Sequence, residues 1–190
     1  MYVMNDQANT LSIPQAVSAL RAGQVIAYPT ESCFGLGCDP KNSTAIQKLI
    51  KFKSRSVSKG LILIAATVEQ AKEYVQIDSN SKESEIYASW PGPNTWLLPP
   101  MLDVLVELRG EFPLLAIRVT AHPVAKRICE EFGGAIVSTS ANISGEAALL
   151  NAAAVAKSLS HQIKIVSGDI GSDIKPSTIR DGLTGQILRQ

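Results

Sequence analysis

A short basic segment contains the residue types that point most directly to chemistry. Lys53, Arg55 and Lys59 fall within seven residues, with no acidic residue between them. Three neighbouring cations repel one another unless an anion or solvent compensates their charge. A phosphate chain is a natural partner, because Arg offers a planar pair of donors and Lys a point charge. The segment therefore predicts a phosphate-binding loop, and the alternative is a solvated connection between a helix and a strand.

A run of hydroxyl and amide side chains follows an apolar stretch further along the chain. Residues 138–145 read Ser-Thr-Ser-Ala-Asn-Ile-Ser-Gly. In open α/β sheets, ligands bind beyond the carboxyl ends of strands. Hydroxyls and amides in that position can orient phosphate oxygens or hold a small polar substrate. The alternative is a helix cap with a turn, because Ser, Thr and Asn favour both.

Two further positions have a polar side chain where a strand is expected. Thr30 follows the apolar run 24–28 and the rigid Pro29, so its hydroxyl could reach the same edge of the sheet. A plain turn is the alternative there. Arg118 lies inside the apolar run 114–119, where an unpaired guanidinium would be costly. It therefore either faces solvent or pairs with a buried or substrate carboxylate.

Several common catalytic patterns are absent from the sequence. There is no GxxxxGK[ST] loop and no dinucleotide fingerprint, and the cysteines (33, 38 and 129) and histidines (122 and 161) have no zinc-ligand spacing. We therefore predict no metal site built by the protein and no covalent nucleophile, and we interpret the cysteines as small buried apolar residues. A phosphate-handling enzyme does not need a covalent nucleophile, because positioning and charge neutralisation can supply most of its catalysis.

The elements that would position these residues alternate between helix and strand. Hydrophobic periodicity and capping residues predict helices at 13–22, 43–53, 67–75, 81–89, 123–132 and 151–159. Strands are predicted at 24–28, 61–66, 94–99, 114–119, 135–138, 163–166, 177–180 and 186–189, with a long loop over 99–113. The alternation is typical of an α/β fold with a twisted, partly parallel sheet.

Composition limits the class of protein. The 190 residues are 45% hydrophobic and 18% charged with a net charge of +1, which excludes a disordered or histone-like chain. No apolar run approaches the length of a membrane span, and the segment MYVMNDQANT lacks the features of a signal peptide. We therefore expect a cytoplasmic protein that folds as a single domain over residues 1–190, with its core at about 13–189.

Six motifs in order resemble one family. They are YPTEsxFGLGCDP at 28–40, KxRxxxKGLILI at 53–64, WPGPxT at 90–95, AIRVTxHP at 116–123, STSANxSG at 138–145 and PSTIRD at 176–181. Together they are similar to the TsaC/YrdC family of threonylcarbamoyl-AMP synthases, in its short form without an extra C-terminal domain.

The resemblance implies a fold and a reaction. The fold is a twisted open mixed sheet flanked by helices, with a concave basic cavity. The reaction joins L-threonine, bicarbonate or CO2, and ATP into threonylcarbamoyl-AMP and pyrophosphate, with Mg²⁺ accompanying ATP and no organic cofactor. Downstream proteins would transfer the threonylcarbamoyl group to an adenosine of tRNA.

The resemblance also assigns residues to the two substrates. The expected ATP-binding residues are Lys53, Arg55, Lys59, Ser140, Asn142 and Arg189. The expected threonine-binding residues are Thr30, Arg118, Ser138 and Ser177, and Arg118 would have its carboxylate partner in the substrate. Four positions depart from forms common in the family or its longer branch: Ser56, Ser58, Lys59 and Ile64.

Two other function classes compete with the synthase. An RNA-binding module could use the same basic cavity for double-stranded or ribosomal RNA, although aromatic residues are only 5% of the chain and stacking platforms are few. A phosphosugar enzyme of similar fold, such as dihydroxybutanone-phosphate synthase, would need an acidic metal site that the sequence does not suggest.

Overall fold

Helices and strands alternate along the chain in the computed structural model, which describes residues 10–159, 163–172 and 175–190. The α-helices in these ranges are α1 (Ile13–Arg21), α2 (Ser43–Phe52), α3 (Val68–Lys72), α4 (Glu83–Ser89), α5 (Val106–Arg109), α6 (Pro123–Phe132) and α7 (Ala152–Ser158). The strands are β1 (Thr10–Leu11), β2 (Ile26–Pro29), β3 (Phe34–Gly37), β4 (Ile62–Ala65), β5 (Asn94–Leu98), β6 (Leu115–Val119), β7 (Ile136–Ser140), β8 (Lys164–Val166), β9 (Thr178–Asp181) and β10 (Ile187–Arg189). His161 and the first nine residues of the segment considered as a signal peptide lie outside the described residues.

The strands form one mixed sheet. Their order is β1-β8-β2-β3-β7-β4-β6-β5-β9-β10. β4 pairs with β6 in parallel, whereas β7 is antiparallel to both of its neighbours, β3 and β4. The last two strands, β9 and β10, are antiparallel. The α/β fold with a mixed sheet and flanking helices is therefore confirmed.

Helices cover both faces of the sheet. Successive residues of a strand point to opposite faces, so Leu63 packs in one hydrophobic cluster and Ile64 in the other. The cluster around Ile64 includes Leu20 of α1 and Ile128 of α6. The cluster around Leu63 includes Leu49 of α2. Burial on both faces explains why the central strands are continuous apolar runs rather than alternating ones.

Three elements were not predicted: β1, β3 and α5. β3 was missed because Gly35 and Gly37 make its sequence poor in strand-forming residues. Its residues are nevertheless buried between β2 and β7, where space for a side chain is scarce. A Cβ at position 37 would come within 2.6 Å of the Val137 carbonyl oxygen, so glycine permits this close pairing. The predicted loop over 99–113 contains the short helix α5.

Helix length can be compared with the thickness of a bilayer. α2 and α6 have ten residues each, about half of what a membrane-spanning helix needs. In the part of the chain that the structure describes, no helix has the length and apolar character to cross a membrane.

Candidate active site

A cavity of about 390 Å³ opens where several strand ends meet. β2 and β7 end at this edge of the sheet, and β3 and β4 begin there, because the pairings of β3 and β7 are antiparallel. Of the ten site residues predicted from sequence, the structure places eight on its walls: Thr30, Arg55, Arg118, Ser138, Ser140, Asn142, Ser177 and Arg189. The tertiary structure thus joins the predicted phosphate-side and threonine-side residues in a single cavity.

Lys53 lies directly behind the cavity wall, with 2% of its surface exposed. Its ammonium donates to the backbone carbonyl oxygens of Ser140 and Asn142, the second at 2.8 Å. The side-chain oxygen of Asn142 accepts from the same ammonium at 3.1 Å. Ser140 Oγ in turn donates to that oxygen at 2.5 Å. Lys53 therefore holds the 140–142 turn in place and brings a positive charge to it.

The buried position of Lys53 changes its titration. Burial, helped by the positive charge of Arg55, lowers the pKa of the Lys53 ammonium to about 8, against an opposing effect of Cys33. Lys53 is thus partly neutral in mildly alkaline solution. An anion bound at the turn would favour the charged form and raise that pKa again.

The other two cations of the basic segment, Arg55 and Lys59, differ in their position relative to the cavity. Arg55 lines the cavity, and its Nη2 donates to the carbonyl oxygens of Lys59 and Gly60 at 3.2 and 3.1 Å. Lys59, in the 3₁₀ turn Val57–Lys59, has an exposed side chain that is not among the cavity-lining residues. The structure thus brings Arg55 to the cavity wall, and the phosphate contact expected of Lys59 stays a prediction.

Arg118 is buried, which excludes the solvent-facing alternative. Its Nη2 lies 3.1 Å from Oε2 of Glu31, and both side chains are about nine-tenths buried. Oε1 of Glu31 accepts from the Thr120 hydroxyl at 2.7 Å and from the Ala121 amide at 3.1 Å. The buried-carboxylate alternative is thus the correct one within the chain. Local sequence gives no sign of this pairing, because the partners of Glu31 are 87 to 90 residues away.

The charge of Glu31 is stabilised by these contacts. Burial alone would raise the pKa of its carboxyl, but the guanidinium of Arg118 and the Thr120 hydroxyl outweigh burial and lower that pKa. Glu31 is therefore an ionised carboxylate at neutral pH. The charged residues on the cavity wall itself are Arg55, Arg118, Arg189 and Glu146.

The C-terminal part of the chain closes the cavity on the side of β9. Ser177 Oγ lies 2.8 Å from the Thr95 hydroxyl, and Arg189 donates to the Ser177 carbonyl oxygen at 2.9 Å. Burial and the nearby charge of Arg118 lower the pKa of Arg189. Because an arginine remains protonated in proteins, Arg189 and Arg118 form a doubly cationic wall.

Thr30 and Ser138 face each other across a glycine. Thr30 donates its hydroxyl to the Cys33 carbonyl oxygen at 2.8 Å. A Cβ at Gly35 would lie 3.3 Å from Thr30 Cγ2 and 3.5 Å from Ser138 Oγ. The missing side chain of Gly35 therefore leaves the space between these two residues open to a ligand.

Sequence reasoning missed part of the cavity wall. Cys33 is half-buried and lines the cavity, so it is not the buried apolar residue that was expected, whereas Cys38 and Cys129 are fully buried. Glu146 and Leu150 also line the cavity, from a loop without a regular pattern. The only signal in the sequence was their closeness to the 138–145 run.

The donor groups for a metal ion can be assessed directly. Across residues 10–159, 163–172 and 175–190, no three His, Cys, Asp or Glu side chains converge as metal ligands. Glu146 offers one carboxylate at the cavity, and Glu31 is engaged by Arg118.

Comparison with known proteins gives a consistent result at the level of sequence. The Sua5/YciO/YrdC family model, described as "Telomere recombination", matches residues 18–190. A Vibrio campbellii protein named threonylcarbamoyl-AMP synthase is 45% identical over 93% of this chain and 97% of its own length. A Methylococcus capsulatus protein of the same name is 46% identical over 92% of this chain and 94% of its own.

Solved structures agree with the sequence matches. The crystal structure of P. abyssi Sua5 complexed with L-threonine superposes with a TM-score of 0.82 at 31% identity, covering 89% of this chain and 50% of that longer one. E. coli YciO shares the fold, with a TM-score of 0.79 at 23% identity over 94% of this chain and 90% of its own. The resemblance that the six motifs indicated is confirmed, and the chain belongs to the Sua5/YciO/YrdC family.

Proposed function

We propose that this protein is an L-threonylcarbamoyl-AMP synthase, which forms threonylcarbamoyl-AMP and pyrophosphate from L-threonine, bicarbonate or CO2, and ATP. The observation that carries the proposal is the single cavity shared by Arg118, Ser138 and the Ser140–Asn142 turn. The names of the curated relatives support the same reaction.

The threonine side of the cavity is assigned to Thr30, Arg118, Ser138 and Ser177. Arg118 supplies the charge for the amino-acid carboxylate, because it lines the cavity and its guanidinium has more donors than Glu31 engages. Hydroxyls of Ser138 and Ser177 can accept from the amine or bond to the side chain of threonine. The relative complexed with L-threonine supports threonine as the amino-acid substrate.

The ATP side is assigned to Arg55, Ser140, Asn142 and Arg189, with Lys53 acting from behind the turn. Arg55 and Arg189 provide donors for phosphate oxygens, and Lys53 fixes the turn that presents the Ser140 hydroxyl. Lys59 has no role in the cavity in this proposal. Mg²⁺ enters as part of the MgATP substrate and offsets phosphate charge.

The chemistry requires two nucleophilic steps. The threonine amine adds to CO2 and loses a proton, which gives a carbamate. A carbamate oxygen then attacks the α-phosphorus, the bond to the bridging oxygen breaks, and pyrophosphate leaves with the electron pair. Carbamate and triphosphate are both anions, so the cationic side chains reduce their repulsion and stabilise the charge on the leaving group.

The product is a reactive mixed anhydride, so a consuming reaction must follow. We include in the proposal that downstream proteins transfer the threonylcarbamoyl group to tRNA adenosine. RNA binding by this chain itself stays a prediction, as does its cytoplasmic location.

The decisive experiment measures pyrophosphate release from ATP by the purified protein. We expect release that depends on threonine and on bicarbonate, with threonylcarbamoyl-AMP detected by mass spectrometry. Equal ATP turnover without threonine would refute the synthase assignment. Salt-sensitive binding of duplex RNA without any nucleotide chemistry would favour the RNA-binding alternative.

A further inference from the structure

We infer that Glu31 is a positioning residue, which fixes the orientation of the Arg118 guanidinium for the carboxylate of the amino-acid substrate. The inference rests on the proposed function only in giving Arg118 that carboxylate. Glu31 itself is not among the cavity-lining residues, and it acts through Arg118.

Glu31 is held in place from several directions. Thr120 and Ala121 donate to its Oε1, and its Oε2 faces Arg118. Its backbone is also clamped, because the Gly171 amide donates to the Thr30 carbonyl oxygen at 2.9 Å. A Cβ at position 171 would come within 2.7 Å of the Glu31 carbonyl oxygen. The carboxylate therefore has little freedom to follow Arg118 if the arginine turns.

This fixed carboxylate forms an ion pair with one end of the guanidinium, and its Oε2 accepts no hydrogen bond among the described residues. Nη2 of Arg118 lies 3.1 Å from Glu31. Nε of Arg118 is buried and has no hydrogen-bond partner among the described residues, although Arg118 lines the cavity. A guanidinium can bind a second carboxylate through a different edge. The ion pair with Glu31 thus sets how the guanidinium of Arg118 is turned where it lines the cavity.

Orientation and charge predict opposite effects on threonine. The negative charge of Glu31 weakens the attraction of Arg118 for an anion, so a purely electrostatic role predicts tighter threonine binding after Glu31→Gln. The glutamine amide, however, must direct an N–H toward Arg118 or toward the Thr120 and Ala121 donors. The first arrangement sets donor against donor at Arg118 and displaces the guanidinium. The second keeps the amide oxygen toward Arg118 but opposes the Ala121 N–H, so the side chain moves from the place that aligns Arg118. Positioning therefore predicts weaker binding, which makes the sign of the change informative.

The test measures threonine affinity by calorimetry with a non-hydrolysable ATP analogue present. We expect Glu31→Gln to weaken threonine binding at least about tenfold, to leave the affinity for the analogue unchanged, and to have no further effect in an Arg118→Ala background. Glu130→Gln, which alters an exposed ion pair with Lys126, serves as the control. Thr120→Val keeps the charge of Glu31 but removes one of its donors, so it should weaken threonine binding less, and it replaces Glu31→Gln if that variant does not fold.

The outcomes separate this inference from the proposed function. If the wild-type protein binds threonine through Arg118 but Glu31→Gln binds it equally or more tightly, Glu31 is not a positioning residue. If Glu31→Gln lowers the melting temperature but leaves threonine affinity unchanged, Glu31 has only a structural role and the inference is also wrong. If the wild-type protein does not bind threonine at all, the proposed function fails, and this inference fails with it.

Discussion

The ammonium of Lys53 donates a hydrogen bond to the backbone carbonyl oxygen of Asn142 at 2.8 Å, across 89 residues of sequence. The same ammonium reaches Ser140, so one buried cation organises the whole turn that follows β7. The first basic residue of the segment therefore shapes the nucleotide side of the cavity, and the second, Arg55, lines it.

Substitutions of Arg55 and Lys59 can be compared to test which of these cations contacts the triphosphate. We expect Arg55→Ala to lose about 1–3 kcal/mol of transition-state stabilisation, a fall in kcat/KM of roughly 5-fold to 150-fold. Lys59→Ala should stay close to wild type, because its side chain is exposed outside the cavity. Steady-state pyrophosphate release measures both. Equal losses in the two variants would contradict the separation of these cations.

Lys53 should make nucleotide binding depend on pH. Its pKa of about 8 means that the charge near the Ser140–Asn142 turn is lost as pH rises through that value. Affinity for a non-hydrolysable ATP analogue should therefore fall between about pH 7 and about pH 9.5. Calorimetry on Lys53→Met should show a lower affinity for the analogue that changes little with pH. Lys59→Met should keep the pH dependence of the wild type. A wild-type profile that is as flat as that of Lys53→Met would contradict the prediction.

The lowered pKa of Lys53 should increase the stability of the fold as pH rises, whereas it decreases the affinity for nucleotide. Below about pH 8 the ammonium is charged in both states, and its burial disfavours the folded state. Between about pH 8 and about pH 10.5 the unfolded chain binds the additional proton, so this residue's contribution to the free energy of unfolding rises. Urea unfolding should show that the free energy of unfolding of the wild type rises relative to that of Lys53→Met across this range. A difference that is constant with pH would contradict the lowered pKa.

Gly35 should control the space between Thr30 and Ser138. A methyl group there meets Thr30 Cγ2 at 3.3 Å and Ser138 Oγ at 3.5 Å, and the backbone of Gly35 does not have a positive φ. We expect Gly35→Ala to raise the KM for threonine at least about fivefold with a small change in melting temperature. Gly134→Ala is the control, since its Cβ would meet nothing within 4 Å. An unchanged KM in Gly35→Ala would place threonine elsewhere.

Cys33 should report on occupancy of the cavity. It is the cysteine that lines the cavity, whereas burial raises the pKa of both Cys38 and Cys129 to about 12 and keeps their thiols protonated. We expect iodoacetamide to label Cys33 first, although burial also raises its pKa and slows the reaction. Threonine together with an ATP analogue should slow labelling further, as followed by peptide mass spectrometry. Faster labelling of Cys38 would contradict this order.

Local sequence determined much of the fold because its signals act over short distances. The apolar run at 61–66 gave the buried strand β4, and Asn42 marked the start of α2, where its side chain accepts from the Ala45 amide. β3 was not predicted because Gly35 and Gly37 have low strand propensity. It forms because β2 and β7 pair with it on either side. Long-range pairing overrode local propensity there.

The types of the site residues were readable from sequence, but their partners were not. The basic segment and the 138–145 run indicated phosphate chemistry, since cations and hydroxyls have that chemistry wherever they lie. Only the tertiary structure placed Arg55 on the cavity wall and paired Arg118 with Glu31. The reason is physical: the distance between two charges depends on how the strands cross in the sheet, and spacing along the chain does not specify it.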